Sequence, residues 1–252
     1  DSITDLNYSL SPNYADNFSV FNESSGENIF TIPMDKNLYT NQMQYLFRSR
    51  HYNHAKAYGL GGENGSCATI ETLRVFAYGT DSVSYTHLRA HETVLDPLVY
   101  LPLEVRLDLS RLPAEKTAGA RMKKYEIDKM GTKDGKLSDN DIVLFRYADV
   151  LLMRSEAKVR NGENGDEELN AVRFRVGMLP RKATLENILA ERQLELAWEG
   201  WRRQDLVRFG KFTRPYTDRP QLPHESNGYT TVFPIPDKVR SLNPNLTQNP
   251  GY

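Results

Sequence analysis

From Phe145 to Arg160 the apolar residues Tyr147, Ala148, Val150, Leu151, Leu152, Ala157 and Val159 recur on one broad stripe, which predicts an amphipathic helix over 145–160. Asn161-Gly162 supplies its stop, because glycine closes a helix in the left-handed conformation without a steric cost. Asp166 reads as the cap of a shorter segment, Leu169–Val176, closed by Gly177. Thr184 reads as the cap of a third helix, with Leu185, Ile188, Leu189, Arg192, Leu196 and Trp198 at helical spacing. Gly200 predicts a break, followed by a short helix over Trp201–Phe209. The tail from Pro215 to Tyr252 is rich in proline and reads as an extended wrap over the helices.

The first part has a different pattern. Asp1 to Gly79 is rich in Asn, Ser, Tyr and Gly, and its apolar runs are short. Asn28–Pro33 predicts a brief strand stopped by proline, and the remainder reads as loop. Tyr58–Gly65 carries four glycines and predicts a compact surface loop. A phosphate-cradling role does not fit it, since no strand closely precedes it and the Lys-Ser/Thr pair of a P-loop is missing.

Composition narrows the function classes. A chain of 252 residues, 39% hydrophobic and 26% charged, is long enough to bury a core. Lys and Arg number 32 against 33 Asp and Glu, a formal net charge of −1, so there is no basic field for nucleic acid and no such partner is expected. A mean hydropathy of −0.61, with no apolar run near the roughly 18 residues a span needs, gives no transmembrane helix. The single cysteine, Cys67, forms no internal disulfide and builds no zinc site. No motif calls for a cofactor or metal. The opening DSITDLNYSL has no initiator Met, basic region or apolar core of a signal peptide. It reads as a fragment or a processed chain, with any export signal upstream.

One stretch looks foreign. Val83–Thr93 contains His87 and His91 at i, i+4 followed by Glu92, a spacing that on a helix puts two imidazoles on one face, as in zinc proteases. The string also resembles the conceptual translation of a sequencing adapter and joins its flanks abruptly. We therefore read 83–104 as an artefactual insert of low order rather than a metal site. His51 and His54 have no third ligand at suitable spacing and read as polar loop residues.

Several ordered motifs in the second half carry a family resemblance. They are Arg146–Ala157 (RYADVLLMRSEA), Leu169–Gly177 (LNAVRFRVG) and Ile188–Gly200 (ILAERQLELAWEG), with Arg202, Asp205-Leu206 and Arg208-Phe-Gly210 following. Val232–Pro236 (VFPIP) and Asn243–Tyr252 (NPNLTQNPGY) close the chain. This order resembles the C-terminal part of the SusD/RagB family. The resemblance implies a mainly α fold of the α-α superhelix type, with long loops and a few short β-strands, of which only the C-terminal portion is present. With the adapter-like insert at 83–104 set apart, the chain divides into a loop-rich part at 1–82 and a helical region with its proline-rich tail at 105–252. The resemblance further implies a non-enzymatic lipoprotein on the extracellular face of the outer membrane that binds oligosaccharide or polysaccharide. Delivery would be to a SusC-like TonB-dependent transporter, with the lipid anchor on a missing N-terminal part. Capture of peptide or glycopeptide is the alternative, and a glycoside hydrolase a further one.

The residues themselves point to roles. Glu191, Arg192, Glu195, Glu199, Arg202 and Asp205 are spaced so that opposite charges meet three or four residues apart within helices, with Arg146, Asp149 and Glu156 available to join. Glu195 and Glu199 sit one turn apart rather than facing each other across the about 5–9 Å that glycoside hydrolysis uses, which argues against an acid/base pair. Trp198 and Trp201 read as packing residues, Trp198 continuing the apolar stripe. A sugar site needs flat aromatic faces and amide or charged groups for hydroxyls. Tyr39, Asn41, Gln42, Tyr45, Phe47, Arg48, Tyr52, Asn53, Tyr58 and Asn64 supply these in one loop-like stretch, and Tyr39, Tyr45, Tyr58 and Asn64 are the candidate ligand contacts. Tyrosines packing a loop-rich surface remain the alternative, and the lack of Trp there disfavours a broad stacking platform.

Overall fold

A computed structural model of the chain describes residues 6–38, 72, 75, 124–126, 128, 130–131, 137–216 and 220–252. These fall into two compact units, Asp1–Gly200 and Trp201–Tyr252.

In the first unit, β1 (Asn28–Ile32) pairs antiparallel with β2 (Ile142–Arg146), Ile32 opposite Ile142 and Asn28 opposite Arg146, with irregular register between. The apolar run Ile142–Phe145 is thus a strand, and helix α1 begins only at Tyr147 and runs to Arg160. β-Branched Ile142 and Val143 pack better on a pleated surface than in a helical turn, and both are buried. Along α1 Ala148, Leu151, Leu152 and Ser155 are buried, a stripe at i, i+3, i+4 and i+7, and the ion-paired Asp149 and Glu156 are buried beside it. Ala157 is exposed. Ser155 takes the inner position because its hydroxyl donates to the Gly165 carbonyl at 2.8 Å. Gly165 lies so close that a Cβ there would meet the Ser155 carbonyl oxygen at 2.6 Å.

The second helix, α2 (Asp166–Arg175), starts three residues earlier than the apolar pattern indicates. Asp166 is its first residue and not its cap; its carboxylate accepts from the Ala183 N–H instead, tying the α2 start to the segment leading into α3 (Leu185–Glu195). Thr184 caps α3 as the sequence indicates, accepting from the Asn187 N–H at 3.1 Å. α1 packs on both α2 and α3 through Leu152, Leu169, Val172 and Ile188, all fully buried. α3 ends at Glu195, before Trp198, which sits half-buried at φ +67° in the following turn and so does not extend the helical stripe.

The N-terminal segment folds without regular ladders. Two 3₁₀ turns, Tyr14–Phe18 and Asn22–Ser24, precede β1. Buried asparagines satisfy the backbone there: the Asn22 amide donates to the Asn17 and Asp141 carbonyls, and Asn140 donates to that of Phe18. Asn22 and Asn140 serve here because a buried backbone outside ladders needs side-chain partners.

The second unit carries α4 (Arg202–Arg208) and α5 (Asp237–Leu242). Its tail is not extended throughout, since 3₁₀ turns at Glu225–Asn227 and Tyr229–Thr231 precede α5. The closing motifs clasp one another: Gln248 exchanges two hydrogen bonds with the Ile235 backbone, Asn249 donates to the Phe233 carbonyl and the Tyr252 hydroxyl donates to that of Val232. Proline on either side of Ile235 leaves that stretch short of donors, so side-chain amides complete it.

Candidate functional site

The candidate ligand residues Tyr39, Tyr45, Tyr58 and Asn64 lie outside the described residues, as do the other polar and aromatic residues of that loop, Cys67, the four histidines from His51 to His91 and the 83–104 stretch. The described chain runs up to Leu38, one residue before Tyr39. Asp141 accepts from the Met34 N–H at 2.9 Å and from the Thr31 hydroxyl at 2.8 Å. Asp139 accepts from both the N–H and the ammonium of Lys36, at 2.9 and 2.8 Å, and Asp128 stands 3.5 Å from the same ammonium. Burial pushes the Asp139 carboxyl up, but the two Lys36 hydrogen bonds outweigh it and hold the group below its ordinary range. Three aspartates thus anchor Thr31 in β1 and the segment Met34–Lys36 that follows it.

Behind this stem lies a buried cluster of charge centred on Arg146, at the junction of β2 and α1. Its guanidinium meets Glu199 in a bidentate pair, Nε to Oε2 and Nη2 to Oε1, both at 2.8 Å. Nη1 donates to Glu27 at 2.8 Å and to Glu195, and Nη2 also reaches the Glu195 carbonyl at 2.7 Å. Arg175, at the end of α2, bridges Glu27 and Glu195 from the other side. Lys124 pairs with Glu199 and donates to the Ala197 carbonyl at 2.7 Å. The Tyr14 hydroxyl donates to the Glu195 carbonyl at 3.0 Å, and the Tyr14 and Phe18 rings lie against the cations. Three cations and three carboxylates are therefore enclosed together, and the charges balance.

Burial disfavours each charge, and the partners restore most of them. Burial raises the Glu195 and Glu199 carboxyls, but Arg146 with Arg175 or Lys124 overrides it and holds both below the usual carboxylate range. For Lys124 burial prevails over Glu199, and its pKa falls to about 8. Two further buried pairs flank the cluster, Arg192 with Asp149 at 2.7 Å and Arg173 with Glu191. The buried charges around Arg146 thus pair across elements, not along one helix as their spacing indicates, whereas Glu156–Arg160 and Asp205–Arg208 do pair locally, four and three residues apart.

Chemically the arrangement is a fastener. A glutamate held ionised by guanidinium has no proton to donate to a glycosidic oxygen, and Glu195 and Glu199 share one arginine instead of flanking open space. Glu27, Lys124, Arg175 and Tyr14 are the members that the sequence pattern does not disclose; Glu27 reaches Arg146 across a separation of 119 residues. Among the described residues no group of three or more His, Cys, Asp or Glu could hold a metal ion, and no helix is long and apolar enough to cross a membrane.

The family model of the SusD family matches residues 108–252, more than half of the chain, and takes in β2, helices α1–α5 and the clasped tail. The chain belongs to the SusD family. It is 33% identical over 135 residues to the starch-binding protein SusD of Bacteroides thetaiotaomicron, an alignment covering 51% of this chain and 24% of that protein. A laminarin-binding SusD-like protein superposes with a TM-score of 0.69 at 23% identity, over 98% of this chain and 54% of the other. Surface glycan-binding protein A from B. thetaiotaomicron, in complex with laminarihexaose, superposes with a TM-score of 0.62 at 21% identity, over 98% and 57%. These structural likenesses establish the mainly helical SusD-like fold. The chain spans about a quarter of the curated SusD relative and just over half of these solved SusD-like chains.

Proposed function

We propose that the chain is the ligand-capturing C-terminal portion of a cell-surface glycan-binding protein. It would act without catalysis and pass oligosaccharide to a SusC-like TonB-dependent transporter in the outer membrane, with a lipid anchor on polypeptide preceding residue 1. The observation that carries this reading is the SusD-family match over 108–252, supported by the sequence identity to a starch-binding protein. Tyr39, Tyr45, Tyr58 and Asn64 are the proposed contacts, aromatic faces for the apolar side of a pyranose and an amide for its hydroxyls. The anchored stem at Thr31–Lys36 favours this assignment, because a binding loop gains affinity when its base is already ordered. The engagement of Glu195 and Glu199 by Arg146 supports binding over hydrolysis. Residues 83–104 are proposed to be an insert with no part in the site.

Affinity electrophoresis through gels containing a panel of polysaccharides, run on the chain with and without 83–104, tests the reading. Retardation by at least one glycan, in both forms, is expected. Mobility unchanged by every glycan, together with binding to a peptide panel, would instead support peptide capture.

A further inference from the structure

Positive charge is concentrated in one short stretch of the second unit. Residues 201–216 carry Arg202, Arg203, Arg208, Lys211 and Arg214 against Asp205 alone, a net charge of +4 in a chain whose formal net charge is −1. Asp205 pairs with Arg208 at 2.8 Å. Arg203 donates to the Thr230 and Thr231 carbonyls and lies over the Phe212 and Phe233 rings, 4.9 and 4.1 Å from their centroids. Lys211 and Arg214 are exposed, and no carboxylate among the described residues pairs with either. Arg214 also acts on Arg202: burial lowers the Arg202 pKa, and the Arg214 charge pushes it the same way, against Tyr216 and Asp205. The stretch thus holds more cationic charge than its one carboxylate balances.

A fixed frame presents these cations. Gly210, at φ +65°, closes α4, and the Lys211 N–H donates back to the Leu206 carbonyl at 2.7 Å. Beyond it the Tyr216 hydroxyl donates to the Lys211 carbonyl at 3.2 Å, and the Gln221 amide donates to that of Thr213 at 2.7 Å. The Arg214 guanidinium lies 5.2 Å from the centre of the Tyr216 ring. Lys211 and Arg214 are therefore carried by one ordered loop, which lowers the cost of holding an anion between them. Phe209, Phe212 and Tyr216 are only half-buried and leave ring surface beside the cations. A uronic acid offers both complements, a carboxylate for guanidinium or ammonium and an apolar ring face for an aromatic one. A nucleic-acid backbone needs a wider basic field than this chain has. We infer that the 208–216 segment is a second saccharide site, selective for oligosaccharides that carry uronic acid carboxylates, with Lys211 and Arg214 as the carboxylate contacts. The saccharide class rests on the proposed glycan capture; the charge requirement belongs to this segment, and none of residues 39–64 takes part in it.

Calorimetry of the full chain with oligogalacturonate, its methyl ester and neutral laminarihexaose tests the inference. Three variants are compared with the parent: Lys211→Glu/Arg214→Glu, the charge-matched control Lys182→Glu/Lys238→Glu at two other exposed lysines, and alanine at Tyr39, Tyr45, Tyr58 and Asn64 together. Lys211 and Arg214 are exposed, so their replacement leaves folding intact, which a thermal melt verifies. Oligogalacturonate is expected to bind at least about tenfold more tightly than its methyl ester and to lose at least about tenfold in affinity in Lys211→Glu/Arg214→Glu. The control stays within about twofold of the parent, since a distant surface charge is screened, and the fourfold alanine variant retains oligogalacturonate binding. Equal affinity for the acid and the ester, an equal loss in the control, or loss in the fourfold variant with retention in Lys211→Glu/Arg214→Glu overturns the inference. Binding of laminarihexaose with no binding of oligogalacturonate also overturns it and leaves glycan capture standing, whereas failure of laminarihexaose alone bears on glycan capture through 39–64 and not on this segment.

Discussion

Replacing Arg146 with methionine keeps the length of the side chain but removes the charge that Glu27, Glu195 and Glu199 share. Lys124 and Arg175 then face three enclosed carboxylates, and the site carries an unmatched negative charge where water does not reach. Glu199 loses its bidentate partner and Glu27 one of its two arginines. Breaking a buried ion pair from one side costs about 3–5 kcal/mol, most of it the penalty of the charge left behind. For a chain of this size that lowers Tm by on the order of 10 °C. Urea unfolding followed by far-UV circular dichroism gives the free energy, and Arg146→Met/Glu199→Gln gives the control. The second change restores charge balance, so the double variant recovers about 1–3 kcal/mol relative to the sum of the single ones. Arg146→Met within about 1 kcal/mol of the parent, or a double variant that is simply additive, would refute the view that this cluster fastens the N-terminal segment to the helices.

Further outcomes follow from other sites. Lys124 titrates near 8 in the folded chain against an ordinary 10.5, so between those values the unfolded chain binds more protons and this group makes stability rise with pH; from pH 8 to the ordinary tyrosine range near 10, parent stability should gain on Lys124→Met, and a constant or widening deficit contradicts the assignment. Gly165→Ala forces a Cβ onto the Ser155 backbone and should destabilise by about 1–3 kcal/mol in thermal melts, whereas Gly26→Ala, with open space at its Cβ, should change little. Thr184→Ala removes the α3 cap and should cost about 1 kcal/mol, with Thr184→Ser recovering most of it.

Much of the helical region was legible in its sequence because its signals are local. The Thr184 cap, the Asn161-Gly162 stop, the break at Gly200 and the Asn28–Ile32 strand each depend on a few neighbouring residues. Tertiary contacts decide the rest. Phe145 and Arg146 end a strand instead of opening the helix, because β1 pairs with 142–146 from 110 or more residues away. Ser155 displaces Ala157 from the inner face because Gly165 supplies a hydrogen-bond partner. Spacing brought Arg146, Asp149, Glu195 and Glu199 to notice together but suggested intrahelical pairs, since three- and four-residue intervals are all a single sequence displays. Glu27, Lys124 and Arg175 complete the charge balance from distant segments and carry no pattern of their own.

Isothermal titration calorimetry of the chain against a panel of soluble neutral oligosaccharides tests the proposed glycan capture through residues 39–64. Saturable heat is expected with at least one oligosaccharide, lost when Tyr39, Tyr45, Tyr58 and Asn64 are replaced together by alanine while the far-UV spectrum and Tm stay those of the parent. Binding that survives this fourfold replacement unchanged, or silence across the oligosaccharide panel from a chain that is folded by both criteria, would contradict it.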